Sequence, residues 1–597
     1  RYVSGLQPGQ GLLKLDFNNA FNTMRRDAVF KAINELLPEL YPFVHMCYAN
    51  ASLLNFGEFL LMSDEGAQQG DPLGPLMFCA SALKLTKRME SEFNLWFLDD
   101  GSLGGDVDIL LKDLELIRCV GEQIGLTLNE HKCEIVTDDP SVVTQFLAVM
   151  PNIRHVPCSN AVLLGAPVGD DSTTDIILHD KLTVFQRLAD RLTSLNAHDA
   201  LFLLKNCFST PKLLYTLRCS PCYHSAVLPQ YDAVIKNTLQ VVLNIELNDV
   251  TWSQATLPVA NGGLGVRLAT DLALPAFLSS VAGSTALVLQ LLPSRFHASA
   301  GLHDPTFCSA SVEWLSRCNS TTLPDTSVIG VQKLWDSGLI EVKQQRVLSA
   351  AQSQAGRARL LAAAAPHAGD FLHAIPCSAI GTRLDDTSLR VAVALRLGAT
   401  ICAPHTCVCG EQVDSNGTHG LACRKSAGRH MRHNAVNDLI KRALASANIP
   451  AILEPSSLSR NDGKCLDGLT VLPWANGRCA VWDFTCPDTL APSHLNHAVD
   501  GTGCVANDAE VRKSAKYTSL SALYQFTPIA VETLGALGVE ALAFLKDVGR
   551  RIAAATGEPR SFQFLLQRLS VAVQRGNAAS IVGTVPFSGA WDELFYL

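Results

Sequence analysis

The chain has 597 residues, of which 48% are hydrophobic and 17% charged, with a formal net charge of −8. That length exceeds what a single core sustains, so three or more domains are expected, and the composition excludes a disordered or fibrous chain. The acidic balance excludes binding of nucleic acid through overall charge, so any such role needs local basic surface. The 19 cysteines, odd in number and with no secretory leader expected, point to thiols or metal ligands in a reducing compartment instead of a disulfide framework.

Leu12 to Phe17 reads as a strand ending in Asp16. Gly66-Ala67-Gln68-Gln69-Gly70-Asp71-Pro72-Leu73-Gly74-Pro75-Leu76 reads as a Gly- and Pro-dense loop leading into an apolar helix, which lets backbone approach a ligand closely. Asn94 to Leu98 reads as a second strand and Gly101 to Gly104 as turn chemistry, so Asp99 and Asp100 are expected at the tip of a β-hairpin. If the two strands are neighbours, three carboxylates converge, an arrangement that hard divalent cations satisfy and bare like charges do not tolerate. From Asp106 to Gly125, apolar residues at Val107, Leu110, Leu111, Leu114, Ile117, Val120 and Ile124 predict a helix with Asp106 as N-cap and Gly125 as C-cap.

Asp16, the Gly66–Leu76 loop and Asp99-Asp100, in that order, resemble motifs A, B and C of reverse transcriptases. Gly125-Leu126-Thr127-Leu128-Asn129-Glu130-His131-Lys132-Cys133 resembles motif D, and Leu164-Gly165-Ala166-Pro167-Val168-Gly169 the primer-grip region. The resemblance implies that Asp16, Asp99 and Asp100 bind a pair of Mg²⁺ ions that activate a primer hydroxyl and stabilise the leaving pyrophosphate. It further implies that Lys132 is the general acid for pyrophosphate, that Gln69 and Gly70 contact the incoming dNTP, and that Phe21 is the aromatic gate against a ribose 2′-hydroxyl. Ordinary packing in the core is the other reading of Phe21. Asn22 stands where many relatives carry aspartate, and Phe97-Leu98 where Tyr-Ala is commoner. Such enzymes place a fingers region before motif A, whereas Asp16 follows only 15 residues here, so an N-terminally truncated product is expected.

Lys181 to Asn248 is apolar and periodic, as expected of a helical thumb, and Gly262-Gly263-Leu264-Gly265 reads as a turn. Leu272 to Ser294 carries no charge, yet Pro275, Gly283 and Gln290 interrupt it, so a buried helix is expected and no membrane partner. Ser299 to Asp325 reads as a linker, Val342 to Ala365 as an alanine-rich helix, and Asp385 to Leu397, with Arg390 and Arg396, as a scaffold helix. Cys407, Cys409, His419 and Cys423 suit a closed tetrahedral zinc site, with Cys402 and His405 as nearby substitutes. The adjoining Arg424, Lys425, Arg429 and Arg432 read as a phosphate-contacting surface, or else as a solvated helix face.

A second acid constellation follows: Glu454, Asp467, Asp483, Glu510, Lys513 and Lys516-Tyr517. Ala480 to Phe484 reads as a strand with Leu466 to Leu472 as its hairpin partner, so Asp467 and Asp483 are expected to share one Mg²⁺ while a lysine positions or polarises the attacking water. This resembles the restriction-like endonucleases with a PD-(D/E)XK core that follow a zinc knuckle in one group of non-LTR retrotransposons. In that group the lysine has moved to a downstream helix; Thr485 stands at its ordinary place, Lys513 and Lys516 match the Lys-x-x-Lys-Tyr pattern, and Cys465-Leu466 replaces Arg-Pro.

The resemblance covers the whole chain and implies an α+β multidomain fold: a reverse-transcriptase palm over 1–175 with its fingers largely missing, a helical thumb over 176–298, a linker and helical scaffold over 299–400, a zinc knuckle over 401–435, and a restriction-like α/β endonuclease over 436–597. The implied activity is target-primed reverse transcription, with Mg²⁺ at both acid sites and structural Zn²⁺. The endonuclease nicks target DNA and the polymerase extends the freed end with dNTPs along element RNA, in the nucleus after synthesis in the cytoplasm. A truncated, non-polymerising nucleic-acid-binding relic is the alternative.

Overall fold

A computed structural model of the protein describes residues 1–325, 330–456, 466–520 and 522–585. The first region is built on β1 (Gln10–Leu15), a hairpin of β2 (Ser52–Phe56) and β3 (Phe59–Ser63), then β4 (Phe93–Phe97), β5 (Asp100–Asp106), β6 (Glu134–Val136) and β7 (Arg154–Val156). Five of these form one sheet in the order β4-β5-β1-β6-β7, with β1 antiparallel to both of its neighbours. Successive side chains of a strand point to opposite faces, so Leu13 and Leu15 enter a core with Phe78, Leu110 and Leu114 from the helices below. Leu12 joins Tyr2, Phe93 and Val136 on the other face.

The turn of the β4–β5 hairpin is Leu98-Asp99, with Leu98 at φ +58°, and not the glycine run expected from sequence. Gly101 to Gly104 lie inside β5, where they serve close approach: a Cβ on Gly101 would come within 2.8 Å of the Trp96 ring, and one on Gly104 within 2.3 Å of Tyr2. The helix Val107–Ile124 forms where expected and is closed by Gly125 in the left-handed region, but the Asp106 side chain caps no helix N–H and accepts the Gln10 side-chain amide instead.

Residues 176–298, expected as a thumb, are largely helical, with β8 (Val162–Leu163) and β9 (Ala166–Pro167) as a small hairpin ahead of them. Their core joins Leu178, Leu182 and Phe185 of the helix Asp171–Leu192 to Tyr231, Ile235 and Leu239 of the helix Val227–Leu243. Ala269–Leu291 is, among the described residues, the helix long and apolar enough to cross a membrane, but Leu272 to Ser279 are buried inside the protein. Ser299 to Asp325 does not behave as a linker. It contains the helix Pro305–Cys318, whose Phe307, Ala310 and Trp314 recur at helical spacing and pack on Leu274, Phe277 and Trp335.

The alanine-rich stretch is two helices, Gln332–Ser349 and Gln354–Ala363, because the Ser353 side chain accepts the Gly356 N–H and starts a new helix. In the next helix, Asp386–Leu397, Arg396 is fully buried and donates to the carbonyls of Gly263 (3.0 Å) and Val259 (2.7 Å), bracing the Gly262–Gly265 turn. The helices Asp171–Leu192 and Val227–Leu243, the Asp386–Leu397 helix and the cysteine-rich segment, which carries β10 (His405–Thr406) and β11 (Gln412–Val413), share one apolar core.

The last region has a second sheet, β12 (Ala451–Leu453), β13 (Gly468–Ala475), β14 (Arg478–Thr485) and β15 (Gln525–Ala530), in sequence order. β14 and β15 are parallel and the other pairs antiparallel. The helix Cys504–Lys516 lies in the crossover between β14 and β15, as a parallel pair requires. Trp482, Phe484 and Ile529 bury one face of the sheet against Val436, Phe544, Leu545 and Leu566 from the helices Ala427–Ser446, Val539–Thr556 and Ser561–Val582.

Candidate catalytic and metal sites

The register of β1 and β5 pairs Leu15 with Gly101, so the next residue of β1's chain, Asp16, comes opposite Asp100, with Asp99 in the adjoining turn. The backbone of Asp16 is pinned on the far side by Asn129 N–H donating to its carbonyl (2.8 Å) and by its own N–H on Cys133 Sγ (3.4 Å). Its Oδ1 is buried without a hydrogen-bond partner. The nearest cation is Lys132, whose Nζ stands 3.9 Å away. Partial desolvation and then the charges of Asp99 and Asp16 push the Asp100 carboxyl above its usual range. A buried carboxylate oxygen with no donor suits a divalent cation held by oxygen ligands, although among the described residues Asp16, Asp99 and Asp100 are not drawn to within 4.8 Å of one another.

Phe21, in the short helix Ala20–Thr23, is half-buried and stacks on Phe78 at 5.0 Å. Its carbonyl accepts the Ala67 N–H (2.8 Å), and a Cβ on Gly66 would lie 2.3 Å from the Asn22 carbonyl, so the Gly66–Leu76 loop rests directly on this turn. Gln69 and Gly70 are exposed at the loop's crest, Gly70 with φ +89°. Sequence reading missed what secures the loop. Arg26 is buried and donates to the carbonyls of Gly66 (3.1 Å), Glu65 (3.2 Å) and Tyr48 (3.3 Å), while the Tyr48 hydroxyl donates to Asp71. An arginine at a helix start reads as surface, so no local signal marks it. The Leu164-Gly165 turn is tied to the helix Leu214–Cys219 by the Tyr215 hydroxyl, which donates to the Leu164 carbonyl at 2.7 Å.

Cys407, Cys409, His419 and Cys423 bring one ligand atom each to within 4.8 Å of one another. Cys407 and Cys423 sulfurs are 3.7 Å apart, and Cys409 Sγ lies 3.2 Å from His419 Nε2. Burial pushes the Cys407 thiol up to about 11, whereas the Glu411 N–H pulls Cys409 down to about 7. The two substitute ligands are engaged elsewhere: Cys402 with the Asp414 carbonyl, His405 with the Ala403 carbonyl and Thr584.

Of the basic residues beyond the cluster, Arg424, Lys425 and Arg429 are exposed, although Arg429 also donates to the carbonyls of Ala422 and Cys423. Arg432 departs from its expected role as a phosphate contact. It is 3% exposed and donates to Asn577 Oδ1, because its helix turns this position toward Ser561–Val582, where Gly576 leaves room for it.

In the second sheet, Gly468 pairs with Trp482, which brings Asp467 opposite Asp483. Asp467 Oδ2 accepts the Phe484 N–H at 2.6 Å and lies 3.2 Å from His433 Nε2. Lys513, from the helix Cys504–Lys516, places Nζ 2.8 Å from Asp483 Oδ1. Lys516 is exposed, 4.9 Å over the Tyr517 ring, and with Arg429, Arg512 and Lys513 it lines a cleft of about 450 Å³. Glu510 is not in this centre: it is buried and accepts the N–H groups of Glu540 (2.9 Å) and Ala541 (2.8 Å), capping the helix Val539–Thr556. Glu454 is exposed where β12 ends, its N–H on the Asp467 carbonyl. Cys465 lies outside the described residues, and Leu466 is buried.

Residues 2–165 match the family model of the reverse transcriptase (RNA-dependent DNA polymerase). The chain is also 21% identical over 464 residues to the retrotransposable element SLACS 132 kDa protein of Trypanosoma brucei gambiense, covering 74% of this chain. It spans 34% of that relative's length. Residues 2–165, which hold the first sheet, thus form a reverse transcriptase domain, and the chain is a distant relative of a retrotransposon protein.

Proposed function

We propose that the protein is an RNA-directed DNA polymerase with a C-terminal DNA-nicking endonuclease, acting in target-primed reverse transcription of a non-LTR retrotransposon. The strongest support is the β1–β5 register, which sets Asp16 against Asp100 and leaves Asp16 Oδ1 buried and unpartnered inside a domain that matches reverse transcriptases. Mg²⁺ bound there would supply charge neutralisation for the attacking primer hydroxyl and the departing pyrophosphate. The protein's own residues do the rest. Asp16, Asp99 and Asp100 hold the metal, the Arg26-anchored loop presents Gln69 and Gly70 to the incoming dNTP, and Lys132 donates a proton to the pyrophosphate. RNA-templated extension of a DNA primer by the full chain tests this reading. Extension confined to NTPs, or none with any nucleotide while nucleic acid is still bound, would replace it with an RNA polymerase or a binding relic.

The proposed gate gives a sharper expectation. Phe21→Ala should admit ribonucleotides, lowering dNTP over NTP discrimination by about tenfold or more, as expected when a steric contact worth one to three kcal/mol is removed. Unchanged discrimination would leave Phe21 as the stacking partner of Phe78 alone.

At the cysteine cluster the four-ligand set fits zinc in a closed structural site. Zinc should co-purify near one equivalent per chain, and Cys409→Ser with His419→Ala should remove it, as read by elemental analysis. Native protein without metal would rule the zinc site out. The knuckle holds Arg424, Lys425 and Arg429 toward solvent as phosphate contacts. In the second sheet Asp467 and Asp483 would hold Mg²⁺, and Lys513 and Lys516 would align the water and the scissile phosphate of target DNA.

A further inference from the structure

His433, the last residue of the basic run Arg429-His430-Met431-Arg432-His433, sits against Asp467 of the second acid pair instead of facing a phosphate. Its Nδ1 lies 3.2 Å from Asn437 Nδ2, and its Nε2 lies 3.2 Å from Asp467 Oδ2. Asn437 is itself fixed, because its Oδ1 accepts the indole N–H of the buried Trp482 at 3.0 Å. With its oxygen committed to Trp482, Asn437 can present only its amide N–H₂ to His433. Nδ1 must then be an acceptor, and the ring proton is on Nε2, directed at Asp467. Asp467 Oδ2 therefore receives two donors, His433 Nε2–H and Phe484 N–H, while Oδ1 has no partner among the described residues.

We propose that His433 is a positioning residue of the nuclease centre: the Trp482–Asn437–His433 relay locks the Asp467 carboxylate so that Oδ1 is offered, with Asp483, to a divalent cation. The assignment rests on the endonuclease reading given above. A carboxylate held by one backbone N–H can still rotate about its Cβ–Cγ bond, and the second donor removes that freedom. Asp467 is 9% exposed, so solvent is a poor substitute for the lost donor. The Phe484 ring, 5.7 Å from the imidazole, further restrains it. Outer partners that orient a metal's ligands in this way are worth about 10- to 100-fold in metal affinity or activity.

The relay is tested with His433→Ala and His433→Gln, the second keeping an N–H donor near the position of Nε2. Two quantities are measured in the full chain: the rate of Mg²⁺-dependent nicking of duplex DNA, and Mn²⁺ binding by electron paramagnetic resonance in an Asp99→Ala, Asp100→Ala background, which removes the palm's contribution. His433→Ala should weaken Mn²⁺ binding at this centre by about tenfold or more and lower nicking, with part of the rate recovered at high Mg²⁺, while His433→Gln stays within a few-fold of the parent. Unchanged Mn²⁺ affinity in His433→Ala, or equal losses in both variants, would overturn the proposal. Asp483→Asn is the control on the underlying reading. If it nicks as well as wild type, the endonuclease assignment fails, whatever His433 does.

Discussion

Replacing Asp99 or Asp100 with alanine is expected to cut RNA-templated primer extension by about a thousand-fold or more, since on the proposed reading each change removes a metal ligand worth on the order of several kcal/mol at the transition state. The fold should survive. Asp99 is in a two-residue turn and Asp100 at the exposed start of β5, while the core of that hairpin is held by Leu103 and the stacked Phe17–Trp96 pair. Thermal melting within a degree or two of wild type together with lost extension would locate the effect in chemistry. Retained extension in both variants would sink the assignment of the palm acids.

Asp483→Ala is expected to abolish nicking of duplex DNA and to leave extension of a supplied primer intact. The two acid pairs belong to separate sheets with separate cores, so removing one centre's ligand gives no route to the other. Lys513→Ala should also lower cleavage strongly, because Lys513 stands 2.8 Å from Asp483 and is mostly buried there. Lys516 is solvent-exposed on the cleft, and its loss should weaken DNA binding and flatten the salt dependence more than it lowers the rate. If Asp483→Ala nicks at the wild-type rate, the last region is a binding domain.

Much of this arrangement was legible in the residues. Strand patterns around Asp16, Asp99-Asp100, Asp467 and Asp483 were short, apolar and bounded by turn residues, and each formed close to where it was expected. The four cysteine and histidine residues expected as ligands lie together, while Cys402 and His405 take carbonyl and hydroxyl partners that no spacing reveals. What sequence could not convey was side-chain direction. Glu510 and Arg432 carry the charges suited to catalysis and phosphate binding, yet both point inward, one onto backbone N–H groups and the other onto Asn577. His433 and Arg26 are the converse, polar residues that read as surface until tertiary neighbours turn them toward a site. Glycines at 101 and 104 misled for a related reason: their small size serves the approach of Trp96 and Tyr2 across a strand, not a bend.

The proposed coupling of the two centres is tested most directly by asking whether dNTP label becomes covalently joined to a DNA strand cut in the same reaction. The full chain would be incubated with genomic DNA, an RNA template, Mg²⁺ and labelled dNTPs, and the products resolved under denaturing conditions. Wild type should yield labelled complementary DNA attached to the cut strand, Asp100→Ala and Asp483→Ala should each yield none, and a pre-nicked duplex should restore the product to Asp483→Ala only. Label joined to intact DNA by Asp483→Ala, or no labelled product from wild type on the pre-nicked duplex, would contradict the account.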